Sequence, residues 1–377
     1  MTETSAPDLP LIRDADLKKK LAYHRGRPNI TPGMLELEIR ELVAEQVARD
    51  AVVEARANEI AAMAPGARRR AKSKDALEKG GERQDLRHIH SVLALCGLPY
   101  NRQPIEEREY RSKQGNMRLI VNAGELLSPE GEFVKQPLPY GSRARLLLLH
   151  LCSEAIRQQS PTINIDDSLT AFIKKMGFEA NGGPRGNLTA FKQQVNALAA
   201  CKMTIGTFDE KGGRAKTVNT APFSSLDVWF PTNPDQQMLW PSTITFSREF
   251  YDTLAKHALP VNVHAIRAFS DSPRKIDIYY WLSHRSYGLS EPVSITWESL
   301  KEQFGEGHFV TSGKTGGYTR DRDFRAKFKE ELAHICEVFP KLPVAVTETG
   351  IRLKPADSDV LSIPAKRSTK KRETIIC

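Results

Sequence analysis

The chain has 377 residues, with 55 Lys and Arg against 46 Asp and Glu and a formal charge of +9. That length sustains one or two large cores and two to three domains, and its modest basic excess excludes little until its placement is read. Five scattered cysteines without a Cys-x-x-Cys pair argue against a disulfide framework or a zinc site and for a reducing compartment. Apolar runs such as Leu146 to Leu149 fall far short of a membrane span. The polar opening Met1-Thr-Glu-Thr-Ser5 lacks the apolar region of a signal peptide. The expectation is a cytoplasmic protein without metal or cofactor.

In chain order, residues 1–10 read as a tail. Thr31-Pro32 opens a helix from Gly33 to about Met63, with Leu35, Ile39, Leu42, Val43 and Val47 at helical spacing,. Its heptad is broken by Gln46 and Arg49, so pairing with a second copy and packing on its own chain both stay open. Pro65-Gly66 and the arginine run after it read as a linker to about Gly81. From Asp85 an apolar segment, Val92 to Leu98, begins the folded region, and Tyr110 to Val121 alternates like one strand,.

The rest of the chain carries one module twice, from about Gly141 to Lys216 and from about Pro273 to Lys354. In the first copy a buried helix, Gly141 to Gln158, leads to a strand, Thr162 to Ile165. A short helix capped by Asp166 or Asp167 buries Leu169, Phe172, Ile173 and Met176 and stops at Gly177,. Asn181 to Gly186 then turns into a helix with Leu188, Phe191, Val195 and Leu198 on one face. A hairpin, Met203 to Phe208 and Arg214 to Val218, closes the copy. Strands at Leu226 to Phe230 and Thr243 to Phe246, then a helix from Ser247 to about His257, join the copies. In the second, Ile276 to Tyr287 is the long helix, Val293 to Ile295 the strand, and Thr296 caps Trp297 to Phe304. Beyond a long loop, Arg320 to Val338 is the next helix, followed by a hairpin across Glu348-Thr-Gly350. Phe191-Lys192 to Leu198 superimposes at one offset on Phe328-Lys329 to Ile335, with apolar residues at i, i+4 and i+7 in both.

Helix, strand, helix, turn, helix and hairpin is the order of a winged helix-turn-helix. The expected fold is α+β: tandem winged helix-turn-helix domains at 85–246 and 247–363, a helical N-terminal extension at 1–84 and a basic tail at 364–377. Basic clusters at Lys18 to Lys20, Arg68 to Lys74, Arg320 to Lys329 and Lys366 to Arg372 suit a polyanion. The second helix of such a motif enters the major groove by its N-terminal end. The candidates there are Arg185, Asn187, Thr189, Lys192 and Gln193 in the first copy, and Arg320, Arg322, Arg325 and Lys329 in the second. Lys211, Arg214, Lys216, Arg352 and Lys354 of the hairpins would touch phosphates and set register. Asp321, Asp323, Glu330 and Glu331 compete for the neighbouring arginines. Two such readers one helical turn apart predict an asymmetric site of roughly 20 base pairs.

Leu93-Ala-Leu-Cys-Gly-Leu-Pro-Tyr100, Leu138-Pro-Tyr-Gly-Ser-Arg-Ala-Arg145, Gly182 to Leu188, Phe191 to Leu198 and Asp277-Ile-Tyr-Tyr-Trp281 together resemble the plasmid-encoded RepA replication initiators. The resemblance runs from about Asp85 to Ile363 and leaves residues 1–84 outside. It implies binding to repeated origin sequences, local strand opening, and recruitment of host DnaA and the replicative helicase. It also implies homodimers that repress their own gene and monomers that initiate.

Two enzyme readings compete. His88-Ile-His90 with Tyr110-Arg-Ser-Lys113 matches the metal and nucleophile motifs of rolling-circle nicking enzymes, in which tyrosine attacks a phosphodiester. Its histidine and tyrosine motifs are closer together than such a site implies, and no upstream carboxylate motif is evident. Ser312-Gly-Lys-Thr315 suggests a phosphate-binding loop, but His308 stands where the first glycine of that loop belongs. A third reading is a winged-helix transcription repressor, against which stands the lack of an effector domain.

Overall fold

The computed structural model describes residues 12–78, 85–128, 130–164, 166–176, 178, 186–209, 212–226, 243–305 and 320–361. The chain divides into two compact units, residues 1–68 and 69–377.

The first unit is a helix pair. Asp14 caps α1 (Ala15–Arg25) by accepting from the backbone N–H groups of Asp16 and Leu17. Thr31 caps α2 (Pro32–Ala62), whose first-turn proline has no N–H to leave unpaired,. Ile12, Leu17 and Leu42 form a small core with Leu21 and Val43. The two residues that interrupt the predicted heptad hold this pair together. The Gln46 side-chain oxygen accepts from the N–H groups of Arg13 at 3.1 Å and Asp14 at 3.0 Å. Arg49 reaches Asp14 at 3.0 Å and Glu45 at 2.6 Å. The predicted stripe of α2 is thus partly spent on α1, which the sequence did not reveal, while Val47 stays 55% exposed.

Where the sequence suggested a linker the chain forms α3 (Pro65–Glu78), which from Arg69 onward belongs to the second unit. Helix forms here because Pro65 suits a first turn and Arg70, Ala71, Ser73 and Leu77 are all buried. Arg70 Nε donates to Glu337 at 2.7 Å. β1 (Leu86–His90) runs into α4 (Ser91–Cys96), whose N-terminus His90 caps. The single strand expected from Tyr110 to Val121 is a hairpin, β2 (Glu109–Gln114) and β3 (Met117–Asn122). It turns at Gly115, where φ is +53°, a conformation glycine adopts without a Cβ clash. β4 (Glu125–Leu127) and β5 (Phe133–Lys135) make a second small hairpin.

The first copy of the module follows as α5 (Gly141–Gln158), β6 (Thr162–Asn164), α6 (Asp166–Lys175), α7 (Asn187–Ala200), β7 (Lys202–Asp209) and β8 (Arg214–Thr220). The connection is β9 (Phe223–Leu226), β10 (Thr243–Phe246), α8 (Arg248–Lys256), β11 (Ala258–Asn262) and α9 (Val263–Phe269). The second copy is α10 (Pro273–Gly288), β12 (Val293–Thr296), α11 (Trp297–Phe304), α12 (Asp321–Val338), β13 (Val344–Val346) and β14 (Gly350–Leu353). The mixed α+β class is as expected, and α2, α5 to α8 and α10 to α12 lie near their predicted spans, whereas α1, α3, α4 and α9 were not expected as helices.

The copies differ in their sheets. In the second, β12, β14 and β13 form one antiparallel sheet in that order. In the first, hairpin β7–β8 extends β2–β3 into a four-stranded sheet, while β6 pairs with β10. Strand β6 is thereby separated from its own hairpin. One hydrophobic core runs through both copies, from Leu147 and Phe191 to Trp281, Phe304 and Phe328. Each large side chain buried there is worth about 1.5–3 kcal/mol.

Candidate nucleic-acid interface

α12 is held by an apolar stripe. Phe324, Phe328, Leu332 and Ile335 are buried at intervals of three and four residues, which leaves the opposite face to solvent. Arg322, Arg325 and Lys329 lie on that exposed face, and Arg320 is exposed just before the helix,. Three of the four acidic neighbours are engaged elsewhere, and Asp323 is exposed on the first turn of α12. Asp321 accepts from Lys301 at 2.6 Å, and this bond holds its carboxyl below the usual range. Glu330 pairs with Lys327 at 2.9 Å. Glu331 is buried and takes Ser272 at 2.9 Å and Arg274 at 2.5 Å. Among the described residues, no carboxylate lies within 4.0 Å of Arg320, Arg322 or Arg325.

Trp297 gathers the parts of this end. Its backbone N–H donates to Thr349 O and its Nε1 to Glu348 O, both at 2.9 Å, which anchors the turn between β13 and β14. The Lys329 ammonium lies 5.4 Å from the centre of the same ring, a cation–π distance. Arg352 is exposed on β14 between buried Ile351 and Leu353, and Lys354 follows it, also exposed. Four of the predicted cations, Arg322, Arg325, Lys329 and Arg352, are therefore exposed on elements that meet at Trp297.

The first copy presents less. Gln193 is exposed on α7, whereas Asn187, Thr189 and Lys192 are half-buried, and burial lowers the Lys192 ammonium pKa. Asn187 accepts from Arg143 at 2.9 Å. Arg143 is a cation at the start of α7 that pattern reading missed, because it belongs to α5. Its guanidinium lies 5.6 Å from the Phe178 ring and 5.8 Å from that of Phe191. Arg214 and Lys216 are exposed on β8, the edge strand of its sheet. Arg185, Lys211, residues 312–315 and the tail cluster 366–372 lie outside the described residues.

The nicking motif sits in a different setting. His90 is 2% exposed, its Nδ1 accepts from the Val92 N–H at 3.2 Å, and burial pushes its pKa down to about 4. Burial pushes the Tyr110 hydroxyl up to about 12, away from the phenolate a nucleophile needs. Cys96, Cys152 and Cys201 are buried free thiols, each pushed up to about 12 by desolvation. Among the described residues no three His, Cys, Asp or Glu side chains cluster as metal ligands. Nor is any helix among them long and apolar enough to cross a membrane.

The fold and this cationic helix-and-hairpin end define an α+β protein of duplicated helical modules. The RepA resemblance is shown over residues 138–299, which match the family model described as "Plasmid encoded RepA protein". The match spans α5 to the start of α11; Leu93 to Tyr100 and α12 lie outside it. No curated protein matches the chain. Two solved structures are similar over part of their architecture. One is domain 2 and domain 3 of RctB, at 10% identity and a TM-score of 0.41, covering 70% of this chain and 98% of that one. The other is RctB domains 2-3, at 9% identity and a TM-score of 0.39, covering 64% and 82%. Likeness at this level carries no functional inference.

Proposed function

We propose that the protein is a sequence-specific DNA-binding plasmid replication initiator, not an enzyme. It binds direct repeats at an origin, promotes local melting there and recruits host DnaA and the replicative helicase, with a homodimeric form in the same cycle. The observation that carries the reading is the face of α12. Arg322, Arg325 and Lys329 are exposed on α12 and Arg352 on β14, while the nearby carboxylates Asp321, Glu330 and Glu331 are held by other partners. Arginine can bind guanine through two parallel hydrogen bonds, and hairpin cations can neutralise phosphates. The RepA segment supplies the biological setting.

His90 supports the non-catalytic reading, since it caps α4 from a buried position. Footprinting on DNA flanking the gene, in parallel with a Mg²⁺ nicking assay, tests the proposal. Protection of direct repeats of about 20 base pairs without strand cleavage is the expected result. A covalent Tyr110–DNA adduct would overturn it.

A further inference from the structure

α2 has one covered face and one bare face. Leu42 and Gln46 are buried on the α1 side, where Glu45 and Arg49 also pair. On the other side Leu37, Glu41, Ala44, Ala48, Ala51 and Ala55 follow one another at alternating intervals of four and three residues, and all are exposed. That spacing is the seam of a coiled coil. Leu37 in the seam is 60% exposed, and Val47 and Val52 on its flanks are 55% and 70% exposed. Apart from Glu41 this line is apolar, and solvent-facing apolar residues gathered on one face mark an interaction surface more often than scattered ones do.

Charge says what covers it. We propose that α2 packs antiparallel against α2 of a second copy of this chain, with the two Val47 side chains meeting at the two-fold axis. In that register Arg40 of each chain lies opposite Glu54 of the other, so one attractive pair forms twice. A parallel pairing would set Glu41 against Glu41 in the seam and Glu54 against Glu59 on the flank. The antiparallel one places Glu41 beside Ala51 instead. The alanines let the helices approach closely. Arg40 is bonded to Glu36 at 2.7 Å, but both side chains are well exposed, and an exposed pair of this kind exchanges partners at little cost. Glu45 would approach its own copy on the far flank; the Arg49 hydrogen bond, then that of Lys20, already holds its carboxyl below the usual range. The seam is long enough to bury on the order of 1,000 Å² between two copies, near the lower bound for a specific interface. The dimer is therefore weak and reversible.

Sedimentation equilibrium on the full-length chain tests the register. Arg40→Glu and Glu54→Arg should each weaken the dimer at least tenfold, and the double variant should return to within about threefold of wild type, the sign of a direct pair. Both positions are exposed, and circular dichroism confirms that the helix is kept. In a Cys336→Ser, Cys377→Ser background, a short bismaleimide should link Val47→Cys chains but not Val53→Cys chains. Val53 is 68% exposed but off the seam. A wild-type chain that stays monomeric through the micromolar range overturns the proposal. So does a dimer indifferent to both charge reversals.

Discussion

Arg145 and Asp277 occupy the same place in the two copies of the module, each the fifth residue of its copy's first helix. They meet as a buried bidentate pair, with Nε to Oδ1 and Nη2 to Oδ2 both 2.7 Å. The rest of the guanidinium donates to Leu98 O at 2.6 Å, Gly141 O at 3.0 Å and Pro99 O at 3.3 Å. Three separate stretches of the RepA resemblance, ending at Tyr100 and Arg145 and beginning at Asp277, thus converge on one ion pair between the copies.

A buried pair is costly to halve, because the remaining charge has neither water nor partner. Asp277→Ala is expected to lose about 3–5 kcal/mol of stability, read as a lower urea midpoint. Arg145→Met with Asp277→Leu should cost clearly less than the two single changes summed. Strict additivity would show that the two charges are not coupled.

Gly97 lies directly beneath this pair with φ at +68°, and a Cβ there would stand 2.8 Å from Asp277 Oδ2. Gly115 also has a positive φ, +53°, but open space around it. Gly115→Ala should cost about 1 kcal/mol for backbone strain alone. Gly97→Ala should cost at least twice that, since the carboxylate must move as well. Equal losses in thermal denaturation would mean that the pair yields freely.

On α12, Arg322→Ala and Arg325→Ala should each reduce specific DNA binding by about 1–3 kcal/mol while barely changing the non-specific affinity. Competition titrations at fixed salt measure both quantities. Equal loss on specific and random DNA would make these side chains phosphate contacts. Arg352→Ala should instead lower the salt slope by about one counterion with little change in sequence preference.

His90 and His150 predict acid sensitivity. Desolvation lowers both from 6.5 to about 4 in the folded chain, so the unfolded chain binds the protons first. Their stabilising contribution is full above pH 6.5 and is drained as the pH falls toward 4. The loss reaches up to about 3 kcal/mol for each histidine. Urea titrations between pH 7 and 4.5 should show a slope approaching two protons. His90→Asn, which can still cap α4, should remove about one of them. An unchanged slope would place the titration elsewhere.

Local pattern carried far in this chain because its signals are short-range. Thr296 and Ser247 cap the helices they were expected to cap, through bonds to residues three positions on. The apolar spacing of Phe324, Phe328, Leu332 and Ile335 alone decided which face of α12 is buried. Misreadings arose where a distant partner set the outcome. Tyr110 to Val121 read as one strand because each half alternates, but the two-residue turn at Gly115 shifts the phase, so Tyr110 and Ser112 share a face with Val121 and Leu119. The basic run in α3 resembled a linker until Glu337, far along the chain, took up Arg70. Glu331 stood beside the α12 arginines in sequence, yet its side chain turns inward to Arg274.

From sequence alone came the α+β class, the duplicated module and the cations of α12 and its hairpin. All of these depend on periodicity and residue type within a few turns of chain. Tertiary structure decided how the copies are joined and which charges remain available. It set β6 beside β10 and not beside its own hairpin, and brought Arg145 to Asp277. It also paired Asp321 with Lys301, Glu330 with Lys327 and Glu331 with Arg274. Such pairings depend on distances between residues far apart in the chain, which no local pattern encodes.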